Sequence, residues 1–209
     1  MSVTNRAFVA AGLLASIVAA VPAQAASLSG SYTADDYATV YLSTDLLADA
    51  SEIISDKTTL WGASESFSGV ALAAGQDYYL LIHARNVFSG PAMFIADFSI
   101  SGEGFRFANG QQTLSTGTAY WTVNESGFGA PGATPVSLGT NAGLQIWGQR
   151  PGISADAEAI WAYYADWSAG YNGPAYFVAH IVAVPEPETW AMFGAGLALL
   201  ATRRRAAKR

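Results

Sequence analysis

Short segments rich in aromatic and β-branched residues, several of them alternating between apolar and polar positions, run through the middle of the chain. This composition and period are typical of β-strands, and Gly- and Pro-containing turns separate the segments. The segments cover residues 39–43, 78–84, 92–100, 119–123, 144–147 and 175–182. With about eight to ten strands, the pattern predicts an all-β fold, a single β-sandwich or jelly-roll domain over residues 26–183. Residues 45–55 are expected to form one or two helical turns.

The N-terminal 25 residues follow a different pattern. Arg6 precedes an apolar run over 7–21 that has no polar face, and Ala23, Gln24 and Ala25 then lead to Ala26. A basic start, an apolar middle and a small-x-small site predict a secretory signal peptide over residues 1–25. Cleavage after Ala25 would leave Ala26 as the mature N-terminus.

The C-terminal residues 184–209 contain a second uncharged segment. Pro185 and Pro187 end any strand arriving from upstream, because proline fixes φ and lacks an amide donor. Residues 190–201 are apolar or small on all sides, which disfavours an amphipathic helix packed on the body. Arg203, Arg204 and Arg205 follow. The pattern predicts a short transmembrane helix, with its basic end retained on the cytoplasmic side.

This C-terminal segment resembles the PEP-CTERM sorting signal, in which a Pro-Glu-Pro motif, an apolar helix and an Arg-rich end occur in this order. The residues that carry the resemblance are Val184, Pro185, Glu186, Pro187, Trp190, Arg203, Arg204 and Arg205. The resemblance implies a transient partnership with a membrane and with an exosortase that cleaves near Pro-Glu-Pro. It also implies an inner-membrane intermediate with the body outside the cytoplasm, and a final place at the cell surface or in extracellular polysaccharide.

The body has a weaker resemblance to galactose-binding-like jelly-roll domains. It rests on residues 30–36, which end in Asp35-Asp36, on the strand 40–42, and on the segments 74–86 and 90–96. That family usually has Asn-Gly after the strand, where this chain has Ser43-Thr44 and a longer insertion. The resemblance implies a ligand-binding jelly roll found beside glycan-active enzymes.

Composition narrows the function of the body. The chain has no cysteine, so packing and not disulfides must hold the exported domain. Within residues 26–183, four basic residues face fourteen carboxylates, a formal net charge of −10 (4 − 14). Such a surface repels phosphate backbones, which disfavours nucleic acid as a partner.

Catalysis is not expected of this body. Glycoside hydrolysis needs two carboxylates at a defined separation, and nothing in the spacing pairs the available ones. No Gly-x-Ser-x-Gly elbow accompanies His83 or His180, and each histidine is expected in the core or on a strand face. No cofactor is predicted, with one candidate exception: Asp35 and Asp36 could supply oxygen ligands to Ca²⁺. The alternative is that one of them caps a turn through its carboxylate.

The aromatic residues near the end of the body are the best indication of a ligand. They are Trp147, Trp161, Tyr163, Tyr164, Trp167, Tyr171 and Tyr176. Trp147 and Trp161 are predicted to pack in the core. Trp167, Tyr171 and Asn172, which lie among Gly and polar residues, are candidate carbohydrate-binding residues because sugars pack on aromatic rings. The sequence thus favours a non-catalytic module that contacts carbohydrate in a polysaccharide matrix. A purely structural matrix or biofilm protein and a glycan-active enzyme are the alternatives.

Overall fold

The computed structural model describes residues 25–58, 61–88, 90–163 and 173–185, together with Gly194 and Gly196. Its 12 strands form two antiparallel sheets. They are β1 (Ser27–Asp35), β2 (Tyr37–Ser43), β3 (Ile53–Lys57), β4 (Glu65–Ala71), β5 (Tyr78–Asn86), β6 (Met93–Ser101), β7 (Phe105–Phe107), β8 (Thr113–Ser115), β9 (Thr122–Asn124), β10 (Val136–Thr140), β11 (Glu158–Trp161) and β12 (Gly173–Ala183). The prediction of an all-β sandwich is confirmed.

The two sheets are built from strands that are far apart in the chain. The first sheet, here sheet A, has the order β10-β11-β6-β1-β4, with β8 also paired to β6. The second, sheet B, has the order β3-β2-β5-β12-β7, with β9 also paired to β12. Every described strand therefore lies between Ser27 and Ala183, which is the predicted body.

The main hydrophobic core lies between the sheets, because alternate residues of each long strand point inward. Phe94 of β6 and Trp161 of β11 meet Phe177 of β12, with ring centroids 5.2 and 5.9 Å apart. Trp161 and Phe177 are fully buried, and Ala26 is already part of this core. All core residues that the structure describes lie within 26–183, so the body carries a hydrophobic core of its own.

A second, smaller apolar cluster covers part of the outer face of sheet A. It consists of Met93, Ile95, Leu144, Trp147, Ile153, Ala157 and Ala159. The segment between β10 and β11 closes over the sheet there. The Asn141 side chain fixes this segment. Its Nδ2 donates to the backbone carbonyls of Arg150 and Ile153, and its Oδ1 accepts from the backbone N–H of Arg150. Arg150 adds bonds from its guanidinium to the carbonyls of Trp147, Gly148 and Trp61.

Several element predictions need correction. The strand predicted at 144–147 is wrong: a 3₁₀ turn at Asn141–Gly143 and further turns occupy this region, and its apolar residues pack on a sheet without joining it. The strand predicted at 119–123 is shorter and shifted, at Thr122–Asn124. The helical turn predicted within 45–55 is a single 3₁₀ turn, Ala50–Glu52, capped by Asp49. The described residues contain 12 strands, more than predicted, because the long strands β1 and β4 were missed as well as short strands such as β7 and β8.

Candidate functional site

A group of aromatic side chains lies on the outer face of sheet B. It comprises Tyr41 of β2, Tyr79 and His83 of β5, Tyr176 and His180 of β12, and Phe128 of the loop between β9 and β10; we call it the aromatic face. These side chains are half-buried. They point outward because the residues that alternate with them, such as Val40, Ile82 and Phe177, fill the core.

Register brings the rings together in cross-strand rows. His83 lies opposite Tyr176, and Tyr79 lies opposite His180. The His83 and Tyr176 rings stack with centroids 4.6 Å apart and an interplanar angle of 7°. The corresponding values for Tyr79 and His180 are 4.8 Å and 14°. Rings so close and so nearly parallel are stacked on one another, which makes each Tyr–His pair one flat aromatic unit.

Phe128 reaches the aromatic face through a turn that Asn124 builds. The side-chain Oδ1 of Asn124 accepts from the backbone N–H groups of Ser126 and Gly127, at 2.8 and 3.0 Å. This Asx-type turn is a local structure that asparagine favours. The Phe128 ring then meets Tyr41 and Tyr176 edge-on, with centroids 5.7 and 5.1 Å away.

Charged groups lie at the margins of the aromatic face. Asp56 accepts a hydrogen bond from the Thr39 hydroxyl at 2.8 Å, and Arg85 lies over the Tyr37 ring, 5.6 Å from its centroid. Asp77 Oδ2 is 3.7 Å from His180 Nε2. Burial, with a smaller effect of Arg85, lowers the pKa of His83 below its usual value, which favours the neutral imidazole. The aromatic face is rich in tyrosine hydroxyls and imidazole nitrogens, which can donate and accept hydrogen bonds.

The structure places only some of the aromatic residues that the sequence singled out. Trp147 and Trp161 are 6% and 0% exposed, so the prediction that they pack in the interior is confirmed. Tyr176 belongs to the aromatic face. Trp167, Tyr171 and Asn172 lie outside the described residues, and their predicted contact with carbohydrate stays a prediction.

Sequence reasoning missed most of the aromatic face. The sequence does indicate which residues share the outer face of a single strand, because they alternate with core residues, as Tyr79, Leu81 and His83 do in β5. What the sequence could not supply is the pairing of β5 with β2 on one side and β12 on the other. This pairing turns separate alternating residues into a continuous surface.

Asp35 and Asp36 each have a protein partner in the structure. Asp36 Oδ2 accepts from the backbone N–H groups of Val87 and Phe88 at 2.9 and 3.1 Å, which is the turn-capping alternative. Asp35 Oδ2 accepts from Trp147 Nε1 at 2.8 Å, and burial raises the pKa of Asp35 to about 7. In the part of the chain that the structure describes, no three Asp, Glu, His or Cys side chains are grouped as a metal site. Calcium binding by Asp35 and Asp36 stays a prediction.

The predicted sorting segment begins where the body ends. Strand β12 finishes at Ala183, and the Val184 N–H still donates to the Gly104 carbonyl at 2.8 Å. Glu186, Pro187, Trp190, Arg203, Arg204 and Arg205 lie outside the described residues, as do Ala23 and nearly all of the predicted signal peptide. Among the residues that are described, no helix is long and apolar enough to cross a bilayer.

Comparison with known proteins identifies this C-terminal segment. The family model for the PEP-CTERM protein-sorting motif matches residues 183–205. No curated protein and no solved structure matches the chain, and the resemblance to galactose-binding-like jelly rolls is not confirmed. The chain carries the PEP-CTERM protein-sorting motif, which implies a secreted protein that an exosortase processes and sorts to the cell surface.

Proposed function

We propose that the body is a non-catalytic module that contacts extracellular polysaccharide, and that the sorting motif delivers it to the place where such polymers are found. The observation that carries the proposal is the aromatic face on sheet B. Its two stacked Tyr–His pairs are half-buried and face outward. A contiguous aromatic patch on a protein surface often marks a binding site.

The chemistry of this face suits a neutral sugar chain. Sugar C–H groups pack against ring surfaces, and sugar hydroxyls exchange hydrogen bonds with tyrosine hydroxyls and imidazole nitrogens. The lowered pKa of His83 favours its neutral form, and Asp56 and Arg85 lie only at the margins, so the face suits a polar ligand better than a strongly ionic one. The acidic body as a whole disfavours polyanions.

Removing one ring tests the proposal. Purified residues 26–183 are incubated with polysaccharide extracted from the producing cells, and bound protein is recovered by sedimentation. Tyr176→Ala should weaken binding about tenfold, because a well-placed aromatic contact contributes about 1.4 kcal/mol. Tyr176→Phe keeps the stack on His83 and isolates the contribution of the hydroxyl.

Tyr120→Ala is the matched control, since Tyr120 is 56% exposed and lies outside the aromatic face. It should bind like the unchanged body. If the body shows no binding to the polysaccharide or to a glycan array, the proposal is wrong. New reducing ends after incubation would instead indicate an enzyme.

A structural matrix protein is the second candidate function, and one observation favours it. The segment between β2 and β3 exposes Leu46 and Leu47, and the edge strand β3 exposes Ile53, with Leu47 69% exposed. Exposed apolar residues beside a sheet edge promote association between copies. Light scattering of the body at increasing concentration separates the two, because a carbohydrate-contacting monomer keeps a constant mass.

A further inference from the structure

A groove of about 590 Å³ lies on the outer face of sheet A, on the opposite side of the sandwich from the aromatic face. Strands β1, β4, β6 and β8 form its floor, and the segment before β11 borders it through Gly152 and Ser154. Eight of its thirteen lining residues are Ser or Thr. We call it the serine groove.

The hydroxyl groups of the serine groove are ordered by strand register. Ser66, Ser31, Asp97 and Ser115 lie opposite one another in a row across four strands. Ser29, Ser99 and Thr113 form a second row beside it. Neighbouring strands are about 4.8 Å apart, so the rows present regularly spaced groups that can both donate and accept hydrogen bonds.

Among the described residues that line the groove, Asp97 is the only ionisable one. Its Oδ2 accepts from the Ser154 N–H, whereas its Oδ1 is buried and has no hydrogen-bond partner in the described structure. A buried carboxylate oxygen is rarely left in this state. Asp97 therefore provides an acceptor that a donor entering the groove would satisfy.

The charge around Asp97 indicates what kind of donor this is. No Lys, Arg or His is present among the described residues that line the groove, and the body has a formal net charge of −10 (4 − 14). An ammonium group would be attracted to the carboxylate and would make a charge-assisted hydrogen bond, which is stronger than a neutral one. The serine rows would remain available for hydroxyl groups.

We propose that the serine groove binds an amine-bearing sugar chain, with the ammonium of one unit at Asp97 Oδ1 and the hydroxyls of the chain along the serine rows. This goes beyond the proposed function, because it names a separate surface and a cationic ligand. It rests on contacts that the aromatic face does not share. Two surfaces on opposite sides of one domain would let a single molecule join two polysaccharide chains.

The test uses the full chain, purified in detergent, and three tetrasaccharides titrated by calorimetry: glucosamine, N-acetylglucosamine and glucose. The glucosamine tetramer should bind at least about tenfold more tightly than the other two, since only it carries ammonium groups. Asp97→Asn keeps an acceptor for the Ser154 N–H and removes the charge. It should abolish the preference for glucosamine.

Glu103→Gln is the matched control, because it removes one negative charge from an exposed carboxylate outside the groove. It should leave binding unchanged, and so should Tyr176→Ala on the aromatic face. Equal affinity for the three sugars, or equal loss in Asp97→Asn and Glu103→Gln, would overturn the proposal. The proposal would also be overturned if spermidine, a polyamine without hydroxyl groups, displaced the glucosamine tetramer fully and bound as tightly. The groove would then be a general cation site.

Failure here and failure of the proposed function can be told apart. If the glucosamine tetramer does not bind but Tyr176→Ala still weakens polysaccharide binding, only the serine groove proposal is lost. Loss of glucosamine binding in Ser31→Val, in which a hydroxyl of the row is replaced, would support the role of the serine rows.

Discussion

The Asp35 carboxyl should make the stability of the body fall as the pH rises through neutrality. Asp35 ends β1 under the segment that carries Trp147, whose indole N–H donates to it at 2.8 Å. Burial raises the pKa of Asp35 from 3.8 to about 7, and the neighbouring Asp36 adds to the increase. The native state therefore holds a proton that the unfolded chain loses near pH 4.

The direction of the pH dependence follows from the difference between the native and the unfolded pKa of Asp35. A raised native pKa contributes stability that is complete below the unfolded pKa and is lost as the pH rises through the native pKa, here between about pH 4 and pH 7. The full shift corresponds to about 4 kcal/mol, at about 1.36 kcal/mol per pH unit. Because the carboxyl is only partly buried, solvent screening reduces the expected effect to about 2 kcal/mol.

Asp35→Asn removes the titration and keeps an oxygen for Trp147 Nε1. We expect it to unfold like the unchanged body at pH 4 and to be more stable by about 2 kcal/mol at pH 8. Urea unfolding followed by tryptophan fluorescence, at several pH values, measures this difference. Asp45→Asn, which also replaces one carboxylate by an amide but at an exposed position, is the control for the loss of one negative charge. Parallel pH profiles for Asp35→Asn and the unchanged body would refute the reasoning.

Three further predictions concern packing, the segment over sheet A, and sorting. Gly30→Ala should destabilise the body by about 1–3 kcal/mol, because its Cβ would overlap the Phe98 ring; Gly62→Ala, where the Cβ meets nothing within 4 Å, should stay within about 0.5 kcal/mol in thermal unfolding. Arg150→Met removes guanidinium bonds to backbone carbonyls, and should cost about 3 kcal/mol and expose the segment between β10 and β11 to limited proteolysis. Deleting residues 203–205 should impair membrane retention and processing in cell fractionation, whereas unchanged fractionation would contradict the sorting role.

The elements that sequence alone predicted best are the long alternating strands. Strands β5, β6 and β12 combine aromatic and β-branched residues with a regular period, so local pattern and global fold agree. Strand β1 was missed because Ser27, Ser29, Gly30 and Ser31 have low strand propensity. Its place is fixed by pairing with β4 and β6, which are far away in the chain.

The failed strand at 144–147 has a different cause. Leu144 and Trp147 are apolar because they cover the outer face of sheet A, and burial against a sheet gives the same composition as membership in one. The side chains of Asn141 and Arg150 fix this segment through bonds to backbone carbonyls. Local periodicity does not record such contacts.

The aromatic face and the serine groove could not be predicted from the sequence, because both are formed by the register between neighbouring strands. Single residues such as His83, Tyr176 or Asp97 can be assigned to a strand face from alternation. Their meeting requires knowledge of which strands are neighbours and at which residue they pair. The sorting motif needed no such knowledge, because its features follow one another along the chain.

Mass spectrometry of the protein recovered from the cell surface and the medium tests the central claim most directly. The account predicts a mature chain that begins at Ala26 and ends near Pro185 to Pro187, without the basic C-terminal residues. Recovery of the intact chain, from Met1 to Arg209, in the cytosol would contradict it.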